Sequence, residues 1–195
     1  MPTVVETFDP VTITNMSVQM FGTDGTKQDG TKFGAAGSVG GETVLRELIK
    51  RVEGFEAAKS SKPEKMTLTV SAHIKVQVMR DFFGFSNQDL KPGIYSYGTN
   101  SKGKRFTLTA DVIDEFEDQT KLIAFVDCVS ATGFVFTIEN GADEVALMEI
   151  SLEAYPDEFK QIYYEAMVAE LDDPTVADTW HTQFDRTLVE AVPTP

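Results

Sequence analysis

The sequence predicts a β-rich α+β domain with helices on its flank, on the strength of three stretches between residues 105 and 155. In the first, Phe106, Leu108, Ala110 and Val112 alternate with Thr107, Thr109 and Asp111, the two-residue period of a half-buried strand. The second, residues 121–130, is apolar on both faces. Leu122, Ala124, Val126 and Cys128 lie on one and Ile123, Phe125 and Val129 on the other, as a central strand covered twice requires. The third puts Ala146, Met148, Ile150, Leu152 and Ala154 on one face, opposite Val145, Leu147, Glu149, Ser151 and Glu153. One side of this sheet is oily and the other acidic.

The connections follow from local chemistry. The acidic run 114–118 turns the chain between the first two strands, 134–138 forms a short strand or spur, and Asn140-Gly141 accepts positive φ at a turn. Toward the N-terminus, residues 1–10 form an arm, either loose or laid on a neighbour, and 11–21 alternate as a strand. Residues 22–41 carry glycines at 22, 25, 30, 34, 37, 40 and 41 and the tetrapeptide Asp-Gly-Thr-Lys twice. Ordering so much glycine is entropically costly, so this stretch reads as a long loop with a functional reason to exist. Val44, Leu45, Leu48, Ile49 and Val52 then fall at helical spacing, which predicts an amphipathic helix over 42–52.

Residues 66–72 alternate again as a strand. Ile74, Val78, Phe82 and Phe85 change the period to that of a short helix, and Pro92-Gly93 turns the chain. The stretch 155–171 fits helix or strand. Asp173-Pro174 supplies a helix cap and first position, after which Val176, Trp180, Phe184 and Leu188 recur every four residues along a terminal helix. Residues 187–195, ending in EAVPTP, form a loose end or a second arm.

The chain has 195 residues, enough for one domain with a sizeable core, and 42% are hydrophobic. Seventeen basic residues face 31 acidic ones, a net charge of −14, which argues against a direct grip on nucleic-acid phosphate. From Gly141 onward there are 13 acids and only two bases, Lys160 and Arg186. A single cysteine forms no internal disulfide and fits a reducing compartment. The opening MPTVVETFDP has neither the basic start nor the apolar core of a signal peptide, and no apolar run reaches the ~18 residues of a bilayer span. A soluble protein made in cytoplasm is the expectation.

Candidate chemistry is sparse. Cys128 sits in the most apolar strand and reads as a structural core residue rather than a nucleophile. His181 follows Trp180 and reads as a surface or interface residue; with His73 it makes no zinc signature. The acidic clusters at 114–118, 143–144 and 172–173 lack the spacing of an EF-hand loop and read as solvated turns. The glycines at 34–41 have no Gly-Lys-Ser/Thr ending, so no phosphate loop is expected. Tyr95, Tyr97, Tyr155, Tyr163 and Tyr164 could line a sugar site or serve as core rims. No cofactor is expected.

Several stretches resemble the major tail tube proteins of long-tailed (siphovirus-type) bacteriophages and prophages. They are MTLTVSAHIKVQVMRDFFGF with LKPGIYSYG, SKGKRFTLTADVIDEFEDQTKLIAFVDC, FTIENGADEVALMEISLEAYPDE, IYYEAMVAEL and TWHTQF, spanning residues 66–189. The N-terminal third matches no version of the family firmly. The resemblance implies a β-sandwich or barrel-like domain with a flanking helix, assembled as stacked hexameric rings into a tube that conducts DNA. It further implies a virion tail location after assembly in host cytoplasm, tape measure, terminator and baseplate proteins as partners, and no catalysis. On that reading the single domain, 1–195, uses 1–10 and 187–195 as arms. The loop 22–41, with Gly22, Gly25, Gly30, Gly34, Gly37 and Gly40, lies between subunits.

A lumen that passes DNA must not bind it, and acidic walls meet that need. Glu149, Glu153, Thr107, Thr109 and Asp111 are the expected wall residues, with plain exposure on a monomer as the equal alternative. The competing functions are a soluble β-sandwich module that binds sugar or protein, a terminator or baseplate relative of the same fold, and an enzyme built on Cys128 or a carboxylate pair.

Overall fold

The computed structural model describes residues 4–136 and 147–191. Its strands form one antiparallel sheet, curled but open. In chain order they are β1 (Thr12–Met20), β2 (Thr31–Lys32), β3 (Gly34–Val52), β4 (Phe55–Ile74), β5 (Phe106–Asp114), β6 (Gln119–Ser130), β7 (Met148–Ala154) and β8 (Tyr163–Met167). The helices are α1 (Val76–Phe83), α2 (Thr175–Thr179) and α3 (Arg186–Val189), with a 3-10 turn at Val168–Glu170. The strand order is β2-β1-β5-β6-β7-β4-β3, and β8 pairs with β6. Strand β6 shares one edge between two partners: β8 along Lys121 to Phe125 and β7 along Cys128 to Ser130. The curl brings β1 against β3.

The main core fills the inside of this curl. Met16, Val18, Leu68, Val70, Phe106, Leu108, Ile150 and Leu152 are buried there, and α1 adds Val78, Phe82 and Phe83. A second, smaller core lies on the outer side of β6, where Leu122, Ala124 and Val126 pack under Trp180 and Phe184. The prediction of a strand covered on both faces therefore holds for β6, with one change. Three residues of β5, Phe106 to Leu108, face four of β6, Phe125 to Cys128, and Asp127 takes φ 51° in the resulting bulge. The bulge reverses the alternation, so Cys128 joins Ile123 and Phe125 in the main core rather than Leu122.

The helix expected over 42–52 is a strand. Val44, Leu48 and Val52 are four residues apart, a spacing that satisfies the helical period and is also twice the strand period. What decides between them lies elsewhere in the chain: β4 offers a partner along the whole length, from Gly34↔Ile74 to Val52↔Phe55. Glu53 and Gly54, at φ 51° and 84°, close the hairpin with the two positive φ values of a tight two-residue turn. The glycine-rich 22–41 stretch is not a free loop either. Gly34, Gly37 and Gly40 lie in β3, and Gly22 and Gly25 form a hydrogen-bonded turn.

Other elements appear near their expected places. The helix after residue 73 is α1, and the ambiguous 155–171 stretch contains β8. The single terminal helix is split into α2 and α3, yet Trp180 and Phe184 still face one core with Val176 and Leu188 beside them. The Asn140-Gly141 turn, residues 137–138 of the spur and the start of the third strand fall outside the described residues, and 134–136 form no strand. Residues 4–11 run along their own domain rather than outward: the Val5 amide donates to Glu170, the Asp9 amide to Asp114, and Lys121 lies over the Phe8 ring. In the C-terminal stretch, Leu188 and Val189 of α3 pack on the second core.

Candidate assembly surfaces

Three surfaces bear on what the domain could do, beginning with the open face of the sheet. Paired residues of adjacent strands share a face, so the register places Thr67, Thr69 and Ser71 of β4 beside Glu153, Ser151 and Glu149 of β7. On the other side of β4, Glu42, Gly40 and Ser38 of β3 complete the row. This face is made of small hydroxyl side chains and carboxylates. Ser38 and Ser71 share a hydrogen bond of 2.9 Å. Glu149 is exposed, whereas half-buried Glu153 is engaged: Lys65 Nζ and the Tyr155 hydroxyl both donate to its carboxylate. Those two donors hold the Glu153 carboxyl below its usual range.

Thr107, Thr109 and Asp111 belong elsewhere, which corrects their expected place on a wall. They lie on the outer face of β5, at 0%, 1% and 8% exposure, beneath the C-terminal segment. The covering contacts are polar. His181 Nε2 meets Asp111 Oδ1 at 2.7 Å and His181 Nδ1 meets Thr109 Oγ1 at 3.0 Å. Asn15 Nδ2 donates to the other Asp111 oxygen, and Lys32 Nζ donates to Asn15 Oδ1 at 2.8 Å. Trp180 Nε1 donates to the Ile123 carbonyl at 3.1 Å, and the Gly30 amide to the Thr182 carbonyl at 2.8 Å. Gly30 is so close to the His181 backbone that a Cβ there would overlap it. Burial pushes the Asp111 carboxyl up, but the hydrogen bonds from His181 and Asn15 outweigh it and hold the group below the usual carboxylate range.

This Thr-His-Asp chain has the connectivity of a nucleophile with its base and orienting acid. Catalysis does not follow, because the Thr109 hydroxyl is enclosed and no substrate carbonyl can reach it. The chain acts as a latch that fastens the C-terminal segment to β5. His181 is thus half-buried and bonded rather than free on the surface. Sequence reading missed this role; the one available signal was a histidine next to a tryptophan on an apolar stripe.

The other chemical candidates are dispersed. Cys128 is fully buried, burial pushes its thiol up, and its sulfur donates only to main-chain carbonyls. Among the described residues, no group of three or more His, Cys, Asp or Glu side chains could hold a metal ion. No described helix is long and apolar enough to cross a membrane. The tyrosines take separate jobs: Tyr95 stacks under Arg80, Tyr97 packs on Phe85, Tyr163 packs on Phe125, and Tyr164 bonds Asp157. They do not line one sugar site.

The third surface is the far half of the β3–β4 hairpin. Residues 45–64 are all exposed, forming a two-stranded arm that projects beyond the strands flanking its base. Leu45, Leu48, Val52 and Phe55 are 50%, 56%, 51% and 79% exposed. Pro63 sits in this arm, where the missing amide donor can be tolerated at an edge. A lone two-stranded ribbon is marginal in water, and its free edges invite another chain.

No protein-family model matches the chain, and no curated protein sequence matches it. Among solved structures, the chain is similar to one in the anti-feeding prophage cap (AFP tube terminating cap). The TM-score is 0.47 at 10% identity, over 84% of this chain and 95% of that one. It is also similar to a chain of the anti-feeding prophage (AFP) baseplate, 6-fold symmetrised, with a TM-score of 0.38 at 8% identity over 81% of this chain and 96% of that one.

Proposed function

We propose that the protein is a structural subunit of a phage-type tail, and that its functional form is a self-assembled polymer of hexameric rings stacked into a tube. The observation that carries this reading is the hairpin arm: a 20-residue stretch exposed on both faces, with large apolar side chains in water and no cover from its own domain. Such a ribbon is stabilised by a neighbour. The sequence resemblance to tail tube proteins supplies the rest, and in this reading the subunit-bridging part expected of residues 22–41 passes to the arm.

Within the tube, the Ser/Thr/Glu face of β3, β4 and β7 faces the bore. Its carboxylates repel a passing polyanion, and its hydroxyls offer no fixed cation to grip phosphate. Catalysis has no part in this role. Tape measure, terminator and baseplate proteins are the partners at the tube's interior and ends.

Electron microscopy of the purified protein tests the proposal. Rings with six-fold symmetry and a central hole, or long hollow rods, are the expected result. Deleting residues 45–63 and joining the strands by a short turn should leave a folded monomer that forms no rods. Monomers alone at every concentration would remove the reading. Rings that never stack would point to a terminator-like role instead.

A further inference from the structure

Register along the hairpin arm divides its exposed side chains into two unlike faces. Directly paired residues share a face, and alternate residues of β3 share it too, while unpaired Ala57 shifts the alternation of β4 between Ala58 and Glu56. On one side lie Leu45 with Pro63, Glu47 with Ser61, Ile49 with Lys59, and Arg51 with Glu56. Both signs of charge occur there, and Glu47 and Lys59 form an ion pair at 2.6 Å. On the other side lie Arg46 with Lys62, Leu48 with Ser60, Lys50 with Ala58, and Val52 with Phe55. Among these paired residues that side carries three cations, three large apolar side chains and no acid; Glu64, unpaired at the bulge between Pro63 and Lys65, and Glu53, in the turn, belong to neither set of pairs.

A face of cations and exposed hydrophobes is out of keeping with the rest of the molecule, whose net charge is −14. Arg46, Lys50 and Lys62 have no ion-pair partner among the described residues. Outside the open face, residues 155–191 hold nine acids against two bases, so acidic surface is present on every copy. Intramolecular pairing is blocked by reach, since the arm projects away from its own domain.

We propose that the face bearing Arg46, Leu48, Lys50, Val52, Phe55 and Lys62 docks on the acidic surface of a second copy, while the mixed-charge face stays toward solvent. The inference rests on the assembly reading above and adds which side of the arm makes the contact and by what chemistry. The apolar side chains supply the buried area, and the cations set partner and register, the division of labour seen in polar-rimmed interfaces. A head-to-tail contact of this kind propagates, because each copy offers both an arm and an acceptor.

Two charge-reversal variants test it. Arg46→Glu/Lys50→Glu/Lys62→Glu changes one face; Glu47→Lys/Glu56→Lys changes the other. Both should unfold at the wild-type temperature, because every altered side chain is exposed. Sedimentation and negative-stain imaging should then show the critical concentration for assembly raised at least about 100-fold in the first variant. The second variant should stay within about threefold of wild type. Raising the salt from 0.1 M to 1 M should weaken wild-type assembly, since screening reaches these exposed charges. Undiminished assembly of the first variant, or equal loss in both, overturns the face assignment while leaving the polymer in place. Retardation of duplex DNA by the wild type, lost in the first variant with assembly unchanged, would overturn it in favour of nucleic acid as the occupant. A wild type that never assembles overturns the parent reading instead, and this inference with it.

Discussion

His181 reaches from the C-terminal segment to Thr109 and Asp111, and its two ring nitrogens are both used. His181→Ala leaves two buried oxygens short of a partner, which should cost about 1–3 kcal/mol and be seen as a lower unfolding midpoint. Asp111 adds a pH signature. Its carboxyl is held below the unfolded value of about 3.9, so its charged form contributes stability above that pH and loses it as the pH falls through the lower, folded value. Asp111→Asn should therefore unfold earlier than wild type at pH 7, with the gap narrowing below about pH 4. Asp114 acts similarly on the chain's other end, taking the amides of Asp9, Phe116 and Glu117. Asp114→Ala should speed hydrogen exchange at the Asp9 amide as the N-terminal segment loosens.

At the level of elements, the long hairpin and the C-terminal segment each depend on close backbone approach. Gly34 begins β3 at φ 153°, and a Cβ there would overlap the His73 carbonyl. Gly34→Ala should destabilise by more than about 1 kcal/mol and fray the hairpin base, measurable as faster exchange at the amides of residues 70–74. Trp180 anchors the opposite side through the Ile123 carbonyl and the Phe184 ring. Trp180→Ala should cost about 3–5 kcal/mol and expose residues 175–191 to protease.

These same elements show what was legible. The alternation of Phe106 to Val112 and the double-sided apolar run of β6 were plain, because strands with fixed burial leave a period-two record. Helix α1 lies where Ile74, Val78, Phe82 and Phe85 placed it, with Val78 and Phe82 turned to the main core. The hairpin was not plain, since four-residue spacing fits both periods and the choice rested on a partner strand read from elsewhere in the chain. The glycines misled for a related reason: at Gly30, Gly34 and Gly37 they permit close packing against named neighbours. A composition that signals looseness locally served tightness in three dimensions.

For the whole molecule, charge is the property that the proposed assembly and the proposed function share. Glu149 is exposed on the open face, while the charge of Glu153 is offset by Lys65. If the protein forms the proposed tube, Glu149→Lys should leave rods intact under the electron microscope and slow DNA release from assembled particles; unchanged release would place Glu149 away from the bore. The open face and the arm's cationic face are two ends of one strand pair, acidic near the sheet and basic beyond it.

The sequence by itself determined that this is a β-rich domain, which strands carry the core, and that the C-terminal part is strongly acidic, because burial period and composition are local quantities. Only the tertiary structure decided that residues 45–64 form a projecting arm, that Thr107, Thr109 and Asp111 are covered, and that His181 fastens the chain end. Each of those depends on which segment a strand meets, β4 for the arm and the C-terminal segment for β5, and such pairing leaves no mark on either partner alone.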